Sequence, residues 1–381
     1  MTGLTNAVLN RVKYLDKISD YRIDVYDILS YPFGLSHFFF PKSKYSKKTK
    51  VSLEGVDINI LWYKNILIDS IFNFKIHRKP FFLDGFIRKK AHIFKYYDLI
   101  SAHAFVGAKM AYQIHNLYGT PFCVTWHGSE IHSIPHVLGS YQFEMTKKIM
   151  EVAACNFFVS KALEKSSSAF SNNITSQLLY NGVNELFYRF PEERRLLLKQ
   201  KYQVMGKKVV AFVGNLKPVK NASLLPDIFD AVNMNYSGGI EFWIIGEGEE
   251  RAVLEQKISK MSAQIKLWGY QNVSVMPEIL QCVDVLILPS KNEGLGMVLL
   301  EAIACGAKAV GSNSGGISEV VGKENAIPLG ENFVNRLAKR IVYFLENDVH
   351  QDYPVHCSWT ATAKREKNVY DFIMVKKNEK R

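Results

Sequence analysis

Short apolar runs alternate with helical patterns through the second half of the sequence, and this alternation most constrains the fold. Strands are predicted at VVAFVGN (209–215), IEFWIIGEGEE (240–250), IKLWGY (265–270), DVLILPS (284–290) and AKAVGSN (307–313). Segments with the apolar spacing of helices lie between them. Apolar strands of this length, joined by helices, are typical of a parallel sheet covered on both faces. The pattern therefore predicts a Rossmann-like domain.

The first half of the sequence is predicted to be α/β as well. Its strands are expected in segments such as VDINILWY, YDLISAHA and FCVTWHGS, and its helices in TNAVLNRVKYL and GAKMAYQIHNLYG. The turn-rich, charged stretch 180–195 separates the halves, so we expect an N-terminal domain over 1–185 and a C-terminal domain over 186–357. Residues 358–381 are predicted to form an amphipathic helix that completes the N-terminal domain. The predicted fold class is α/β, with two doubly wound domains.

Cysteine usage and hydropathy limit the cellular setting. The five cysteines are scattered and include no C-x-x-C pair, which is typical of reduced thiols in a cytoplasmic protein. The N-terminus has no apolar core of a signal peptide, and runs such as VDVLILP are too short to span a bilayer. We therefore expect a cytoplasmic protein.

Positive charge is concentrated near the N-terminus. Residues 1–100 contain 17 Lys or Arg and 9 Asp or Glu, so this quarter carries +8 of the net +12. PKSKYSKKTK (41–50) and IRKKAHIFK (87–95) hold much of it. This charge indicates either a solvated face or an anionic partner, such as a membrane surface, a phosphorylated lipid or a nucleic acid. The sequence has no zinc-finger, basic-zipper or RNP-like motif, which argues against nucleic acid.

Four predicted strand-to-loop junctions collect polar residues and glycines. They are FVGNLKPVKN, IIGEGEE, LPSKNEGLG and VGSNSGG. In an open parallel sheet these junctions project from the carboxyl ends of the strands, where such folds bind ligands. The glycine spacing satisfies neither the dinucleotide fingerprint nor the P-loop.

The segment NEGLGMVLLEAIACG (292–306) places two glutamates around an apolar helix. A helix is predicted to begin near Met297, so that Glu293 precedes it and Glu301 lies in its second turn. Backbone N–H groups of residues 294–298 are expected to point out of the helix N-terminus, toward a phosphate. Gly294 and Gly296 would let the backbone approach the ligand closely. Because a carboxylate accepts two hydroxyl donors, each glutamate suits a sugar or ribose.

These motifs resemble the retaining GT-B glycosyltransferases of family 4 (glycosyl transferases group 1). Glu293 and Glu301 match the E-x7-E motif of that family. Further matching segments run along most of the chain: HGSEI (127–131), VSKAL (159–163), YNGVNELF (180–187), VGNLKPVKN (213–221), IIGEGEER (244–251) and SNSGGISEVV (312–321). The resemblance implies two Rossmann-like domains facing a central cleft. It implies a donor site on the C-terminal domain and an acceptor site on the N-terminal domain.

The resemblance also implies roles for particular residues. Lys220 would hold the donor diphosphate, where a fixed ammonium stabilises the developing charge of the leaving group. Glu293 would orient the donor sugar, Glu301 would hold the ribose, and His127 would lie beside the reacting carbon. The remaining donor-binding candidates lie in the two glycine loops: Gly214, Asn215, Gly294, Leu295, Gly296, Met297 and Val298.

The sequence departs from the family pattern at two places. Asn215 stands where the family usually has an arginine, and losing one charge-assisted hydrogen bond would cost about 1.5–3 kcal/mol unless another residue replaces it. The strand expected before the first helix is missing, which indicates either a true start further upstream or an N-terminal sheet that is one strand short. By the resemblance, Gly3 is the candidate glycine of an acceptor or phosphate loop. The sequence contains no D-x-D motif, and we expect neither a metal nor a cofactor.

The resulting functional prediction is a retaining, metal-independent hexosyltransferase of bacterial surface-polysaccharide biosynthesis (O-antigen, capsule or lipopolysaccharide). The donor would be a UDP- or GDP-linked sugar, and the acceptor a glycan, such as one carried by a polyprenyl diphosphate. The basic first hundred residues suggest peripheral binding to the inner membrane surface. Three alternatives stay open at this point: a nucleotide-sugar epimerase, a catalytically silent partner of an active transferase, and a nucleic-acid-binding protein.

Overall fold

A computed structural model describes residues 3–32, 48–65, 80–132 and 140–379. The chain divides into two compact units: Thr2–Leu179 with Trp359–Arg381 form the N-terminal unit, and Tyr180–Ser358 form the C-terminal unit. The first division lies six residues before the boundary expected at 185. Most of the basic run at 41–50, apart from its last three residues, lies outside the described residues.

The C-terminal unit is built on a six-stranded sheet. Its strands are β8 (Lys208–Val213), β9 (Ile240–Ile245), β10 (Ile265–Gly269), β11 (Val285–Leu288), β12 (Lys308–Ser312) and β13 (Ala326–Ile327). They lie in the order β10-β9-β8-β11-β12-β13, and all neighbouring pairs are parallel. The direction of winding reverses between β8 and β11. In open α/β sheets this switch point is where ligands bind.

Seven helices lie in the described part of the C-terminal unit, of which α8 to α12 connect successive strands. They are α7 (Glu192–Lys201), α8 (Leu225–Asn235), α9 (Arg251–Ile258), α10 (Met276–Gln281), α11 (Met297–Ala304), α12 (Ile317–Val321) and α13 (Phe333–Glu346). The central strands are fully buried over most of their length because helices cover both sheet faces. Helix α11, which was predicted to follow NEGLG, begins at Met297. Gly306 lies just beyond its end, with a φ of +91°.

The N-terminal unit contains two separate sheets. Its strands are β1 (Val25–Pro32), β2 (Lys50–Leu53), β3 (Val56–Asn65), β4 (Ile100–His103), β5 (Phe122–Trp126), β6 (Cys155–Phe158) and β7 (Ser176–Leu178). One sheet has the order β1-β3-β2 and the other the order β4-β5-β6-β7. All pairs are parallel except β2 with β3, which form a hairpin closed by Glu54 and Gly55, both at positive φ. The antiparallel hairpin was not predicted from the sequence.

Seven helices belong to the described part of the N-terminal unit. They are α1 (Gly3–Asp16), α2 (Phe81–Lys90), α3 (Ala104–Tyr118), α4 (Ser129–His132), α5 (Tyr141–Val152), α6 (Lys161–Ser167) and α14 (Trp359–Glu379). Helix α1 packs on both sheets, because Leu9 contacts Val56 and Ile58 while Leu15 contacts Cys123 and neighbouring core residues.

The C-terminal helix α14 is held against the N-terminal unit by buried polar contacts. Glu366 lies 3.6 Å from the guanidinium of Arg11 in α1, and both side chains are almost fully buried. Tyr370 donates a hydrogen bond to Glu366 and contacts Ser101 of β4. Such a pair is costly to break, since removing one partner leaves a buried charge.

The predicted α/β class with Rossmann-like parallel sheets is confirmed in both units. No helix in the described ranges is long and apolar enough to cross a bilayer.

Candidate functional site

The loops after β8 and β11 meet at the switch point of the C-terminal sheet. The Lys291 N–H donates to the Val219 carbonyl at 2.8 Å, and the Asn221 amide donates to the Pro289 carbonyl at 2.9 Å. Asn221 adopts a left-handed conformation with a φ of +52°, which an asparagine tolerates better than most residues. These ties hold Lys220, at the end of the short 3-10 turn Pro218–Lys220, over the carboxyl end of the sheet.

Lys220 and Glu293 form an ion pair although 73 positions separate them in the sequence. The Lys220 ammonium contacts Oε1 of Glu293, and the Ser290 hydroxyl donates to the same oxygen at 3.0 Å. Both side chains are only partly exposed, at 23% for Lys220 and 12% for Glu293. An ammonium has three donors, so two remain for an anionic ligand. The structure thus brings together the two residues predicted to hold the diphosphate and the sugar.

Helix α11 begins beside this pair, and no side chain in the described ranges makes a capping hydrogen bond to its N-terminus. Its N-cap is Gly296, at a φ of +87°, and no side-chain capping hydrogen bond is present. The first N–H groups of a helix lack partners inside it, so Met297 and Val298 present donors to an anion. Leu295 is 3% exposed, and its side chain therefore belongs to the core. Of the predicted donor-binding residues in this loop, Leu295 can offer a ligand only its backbone.

Glu301 lies in the second turn of α11 and is half-buried. Burial raises the pKa of its carboxyl from 4.5 to about 8. Within the described ranges, no residue donates a hydrogen bond to that carboxyl. A desolvated carboxyl without a protein partner is typical of a ligand-binding position, because folded proteins normally satisfy such groups internally.

The loop after β12 contacts the backbone carbonyl of Glu293, and sequence reasoning missed this contact. The Gly316 N–H donates to the Glu293 carbonyl at 3.2 Å. Gly315 has a φ of +59°, and a Cβ added there would lie 1.8 Å from the same carbonyl oxygen. The paired glycines of VGSNSGG were the available signal. They make room for the backbone of Glu293.

Gly214 and Asn215 have different surroundings at the end of β8. The Gly214 N–H donates to the Ile245 carbonyl at 3.0 Å, so the sheet already uses this donor. A Cβ at Gly246 would lie 1.9 Å from the Gly214 carbonyl oxygen, which explains the glycine in the neighbouring loop. Asn215 is exposed, and its side chain has no hydrogen bond within the part of the chain that is described. Its amide therefore offers a neutral donor where a cation was expected.

The N-terminal unit places His127 immediately beyond β5. The His127 N–H donates to Oε1 of Glu130 at 2.9 Å, so the HGSE segment folds back on itself. Nε2 of His127 lies 3.1 Å from Nδ1 of His103, at the end of the neighbouring strand β4. Burial and the nearby Arg11 guanidinium lower the pKa of His127 to about 3, so its ring is neutral at physiological pH. Sequence reasoning did not single out His103.

Gly3 is the first residue of α1. The sequence predicts a loop glycine here, but the helix already includes this position. Its role toward a phosphate or an acceptor stays a prediction. Across the described ranges, no three His, Cys, Asp or Glu side chains are grouped so that they could hold a metal ion.

The C-terminal unit contains most of a segment that matches a known protein family. Residues 194–363 match the family model of glycosyl transferases group 1. The chain is similar to an uncharacterized glycosyltransferase of Methanocaldococcus jannaschii, with 25% identity over 75% of this chain and 77% of that protein. It is also similar to O-antigen chain mannosyltransferase B of Escherichia coli, with 28% identity over 39% of this chain and 40% of that protein.

Solved structures share the fold over nearly the whole chain. The HepE protein of Anabaena in complex with UDP has a TM-score of 0.68 at 16% identity, covering 100% of this chain and 96% of that one. Sucrose-phosphate synthase of Thermosynechococcus elongatus has a TM-score of 0.71 at 17% identity, covering 99% and 92%. At these identities the likeness establishes the fold, which is that of the GT-B glycosyltransferases.

Proposed function

We propose that this chain is a retaining glycosyltransferase of family 4 (glycosyl transferases group 1) and that it transfers a hexose from a UDP- or GDP-linked sugar to a lipid-linked glycan. The observation that carries the proposal is the pairing of Lys220 with Glu293 beside the open N-terminus of α11, at the switch point of the sheet. An ammonium and unpaired helix N–H groups suit a diphosphate, and a partly buried carboxylate suits sugar hydroxyls.

Lys220 and the N-terminus of α11 would act on the leaving group. When the bond between the sugar carbon and the phosphate oxygen breaks, negative charge develops on the diphosphate. Preorganised donors stabilise that charge, and removing one such donor typically costs about 2.7–4 kcal/mol in the barrier. No metal is needed for this role, since a fixed ammonium supplies the positive charge.

The acceptor hydroxyl would attack from the face that the diphosphate leaves, so that the configuration of the sugar carbon is retained. The new carbon–oxygen bond forms as the bond to phosphate breaks, and the acceptor proton passes to the departing phosphate oxygen. Glu293 would orient the donor sugar through its hydroxyls, and Glu301 would accept hydrogen bonds from the ribose diol. His127 would contact the reacting sugar through a neutral imidazole.

The relatives support a sugar nucleotide as donor and a surface glycan as product. HepE of Anabaena has been solved with UDP-glucose, and one relative is an O-antigen chain mannosyltransferase. Another is a putative teichuronic acid biosynthesis glycosyltransferase of Bacillus subtilis, 24% identical over 65% of this chain. On this basis we propose that the present chain also acts in surface-polysaccharide biosynthesis.

Exposed cationic and aromatic side chains support an acceptor held at an anionic membrane. Arg88 and Lys89 of α2 are exposed, as is Lys95 just beyond it. Phe82 and Tyr96 are 37% and 87% exposed in the same region. Each basic side chain near an anionic bilayer contributes about 1 kcal/mol of binding. The protein would then act at the inner face of the membrane as a peripheral protein.

Ligand-dependent unfolding tests the donor site. Wild type should be stabilised by UDP, GDP or one of their sugars, by about 2.7 kcal/mol at a hundredfold excess over the dissociation constant. Lys220→Met should abolish this stabilisation. Lys217→Met, which removes the same charge from an exposed position in the same loop, should keep it. Equal responses of the two variants would contradict the proposed role of Lys220.

Product analysis separates the alternative functions. With donor alone, the transferase should release the free sugar slowly and the nucleoside diphosphate with it, and Lys220→Met should stop both. An epimerase would instead convert the donor sugar to its epimer without an acceptor. A catalytically silent partner would bind the donor but release nothing.

Vesicle flotation tests the membrane proposal. Binding to vesicles that contain phosphatidylglycerol should exceed binding to pure phosphatidylcholine and should weaken as salt screens the charges. The double variant Arg88→Glu and Lys89→Glu should lose it. The double variant Lys323→Glu and Lys339→Glu makes the same charge change on exposed residues of the C-terminal unit and should not. Equal binding to both kinds of vesicle would refute an anionic membrane partner.

A further inference from the structure

Two histidines from neighbouring strands of the N-terminal unit share a hydrogen bond. His103 ends β4 and His127 follows β5; these strands are parallel, with His103 opposite Thr125. Nδ1 of His103 lies 3.1 Å from Nε2 of His127, and the ring centroids are 5.4 Å apart. Ring nitrogens at this distance share one proton, so one ring donates and the other accepts.

The side chain of His103 bonds His127 and does not cap the helix that follows it. His103 is the N-cap residue of α3, yet its side chain makes no capping hydrogen bond. Ala104, the next residue, has a φ of +57°, which is uncommon for a residue with a Cβ. Such a conformation costs on the order of 1–3 kcal/mol and persists at sites where the surrounding structure requires it.

Burial, together with the Arg11 guanidinium, lowers the pKa of both rings and keeps them neutral. Arg11 of α1 donates to the Thr125 hydroxyl at 2.7 Å and pairs with Glu366 of α14, while Glu130 holds the His127 backbone. Burial, the neighbouring imidazole of His127 and Arg11 hold the pKa of His103 well below its usual range. Because each neutral ring carries one proton, the hydrogen bond couples the two tautomers: if His103 donates from Nδ1, the proton of His127 is on its Nδ1, and if His127 donates from Nε2, its Nδ1 is an acceptor.

The hydrogen bond to His103 uses one ring nitrogen of His127 and leaves the other, Nδ1, for a ligand. Nε2 is engaged by His103, and Nδ1 has no hydrogen bond to any residue in the described ranges. His127 is half-buried, so Nδ1 is the ring atom left for a ligand. A ring held by one hydrogen bond presents its other nitrogen in one direction, and the role that the ring plays in that bond sets whether this nitrogen carries a proton.

We propose that His103 is a positioning residue that fixes the tautomer and ring plane of His127, so that Nδ1 of His127 meets the reacting sugar in a single hydrogen-bonding state. The role of His127 at the sugar belongs to the proposed function, on which this inference rests. Outer partners that orient a functional imidazole in this way commonly change activity by about 10–100-fold when removed.

Nitrogen NMR of histidine-labelled protein tests the positioning without a substrate. In wild type at pH 7, His127 should show one protonated and one unprotonated ring nitrogen. His103→Leu should move both signals toward the average of the two tautomers. His103→Asn, which keeps a polar atom near the position of Nδ1, should restore the wild-type pattern. His115→Asn is the control, since His115 bonds the Thr120 carbonyl further along α3.

Two results of the NMR experiment would contradict the inference. Unchanged His127 signals in His103→Leu, or a doubly protonated His127 in wild type at pH 7, would overturn the inference. Far-UV circular dichroism and the number of thiols that react in the native state confirm that each variant is folded. His103→Asn provides the comparison if His103→Leu does not fold.

Hydrolysis of UDP-glucose then separates failure of the inference from failure of the proposed function. His103→Leu should lower kcat about 10–100-fold with little change in KM, and His103→Asn should recover most of it. If His127→Ala hydrolyses at the wild-type rate, the role of His127 is wrong. If His127→Ala is inactive while His103→Leu keeps the wild-type kcat, the positioning role of His103 is wrong.

Discussion

Glu301 makes the stability of the C-terminal unit depend on pH in an unusual direction. Its pKa is about 8 in the folded protein, against 4.5 for an ordinary glutamate, because burial disfavours the charge. Between these two values the folded state holds a proton that the unfolded state has released. Stability therefore decreases as pH rises from about 4.5 to about 8, the opposite of the usual behaviour of carboxyl groups.

The size of the effect follows from the shift. At about 1.4 kcal/mol per pKa unit, the full shift corresponds to an upper limit of about 5 kcal/mol. Glu301 is only half-buried, and water screens part of the cost, so we expect about 1–3 kcal/mol. Glu301→Gln removes the titration. The variant should match wild type near pH 5 and be more stable than wild type by that amount at pH 8.5.

Urea unfolding in the absence of donor measures this difference in stability. Hydrogen exchange of the amides in β11 and β12 reports on the C-terminal unit specifically. Glu346→Gln, at the exposed end of α13, is the control and should follow wild type at both pH values. Identical pH dependence in wild type and Glu301→Gln would refute the reasoning. In that case the folded protein would not desolvate the carboxyl group of Glu301.

Three further predictions follow from packing. Gly315→Ala should weaken donor binding at least tenfold in calorimetry, because the added methyl group would lie 1.8 Å from the carbonyl oxygen of Glu293; Gly85→Ala, in open space, should have no effect. Arg11→Met should destabilise the N-terminal unit by about 3–5 kcal/mol in urea unfolding, and adding Glu366→Gln should recover part of that loss. All five cysteines are buried, so a thiol reagent should label them only after unfolding; labelling in the native state would contradict the packing.

Much of the C-terminal unit could be predicted from the sequence because its elements are locally encoded. The β-branched runs that became β8, β9 and β11 are too apolar for any exposed element, and Gly296 and Gly306 bracket α11 at positive φ. The placement of Glu301 one turn into that helix needed only the helical rise. The family resemblance added Lys220, which no local pattern distinguishes from the lysines beside it.

Contacts between distant segments could not be predicted in this way. Nothing in VDINILWY indicates that β3 pairs with β2 in an antiparallel hairpin as well as with β1 in parallel. His103 attracted no attention because its partner lies 24 positions away, on another strand. Leu295 was a candidate ligand residue by position alone, and only its burial shows that its side chain packs in the core.

By itself, the sequence determined the α/β class, the strand-and-helix alternation and the glutamates that flank the start of α11. These depend on periodicity and backbone preference, which act over a few residues. The tertiary structure decided that Lys220 meets Glu293, that His103 meets His127, and that Gly315 lies against the backbone carbonyl of Glu293. Such contacts depend on strand order and register, and these are set when distant segments bury their apolar faces together.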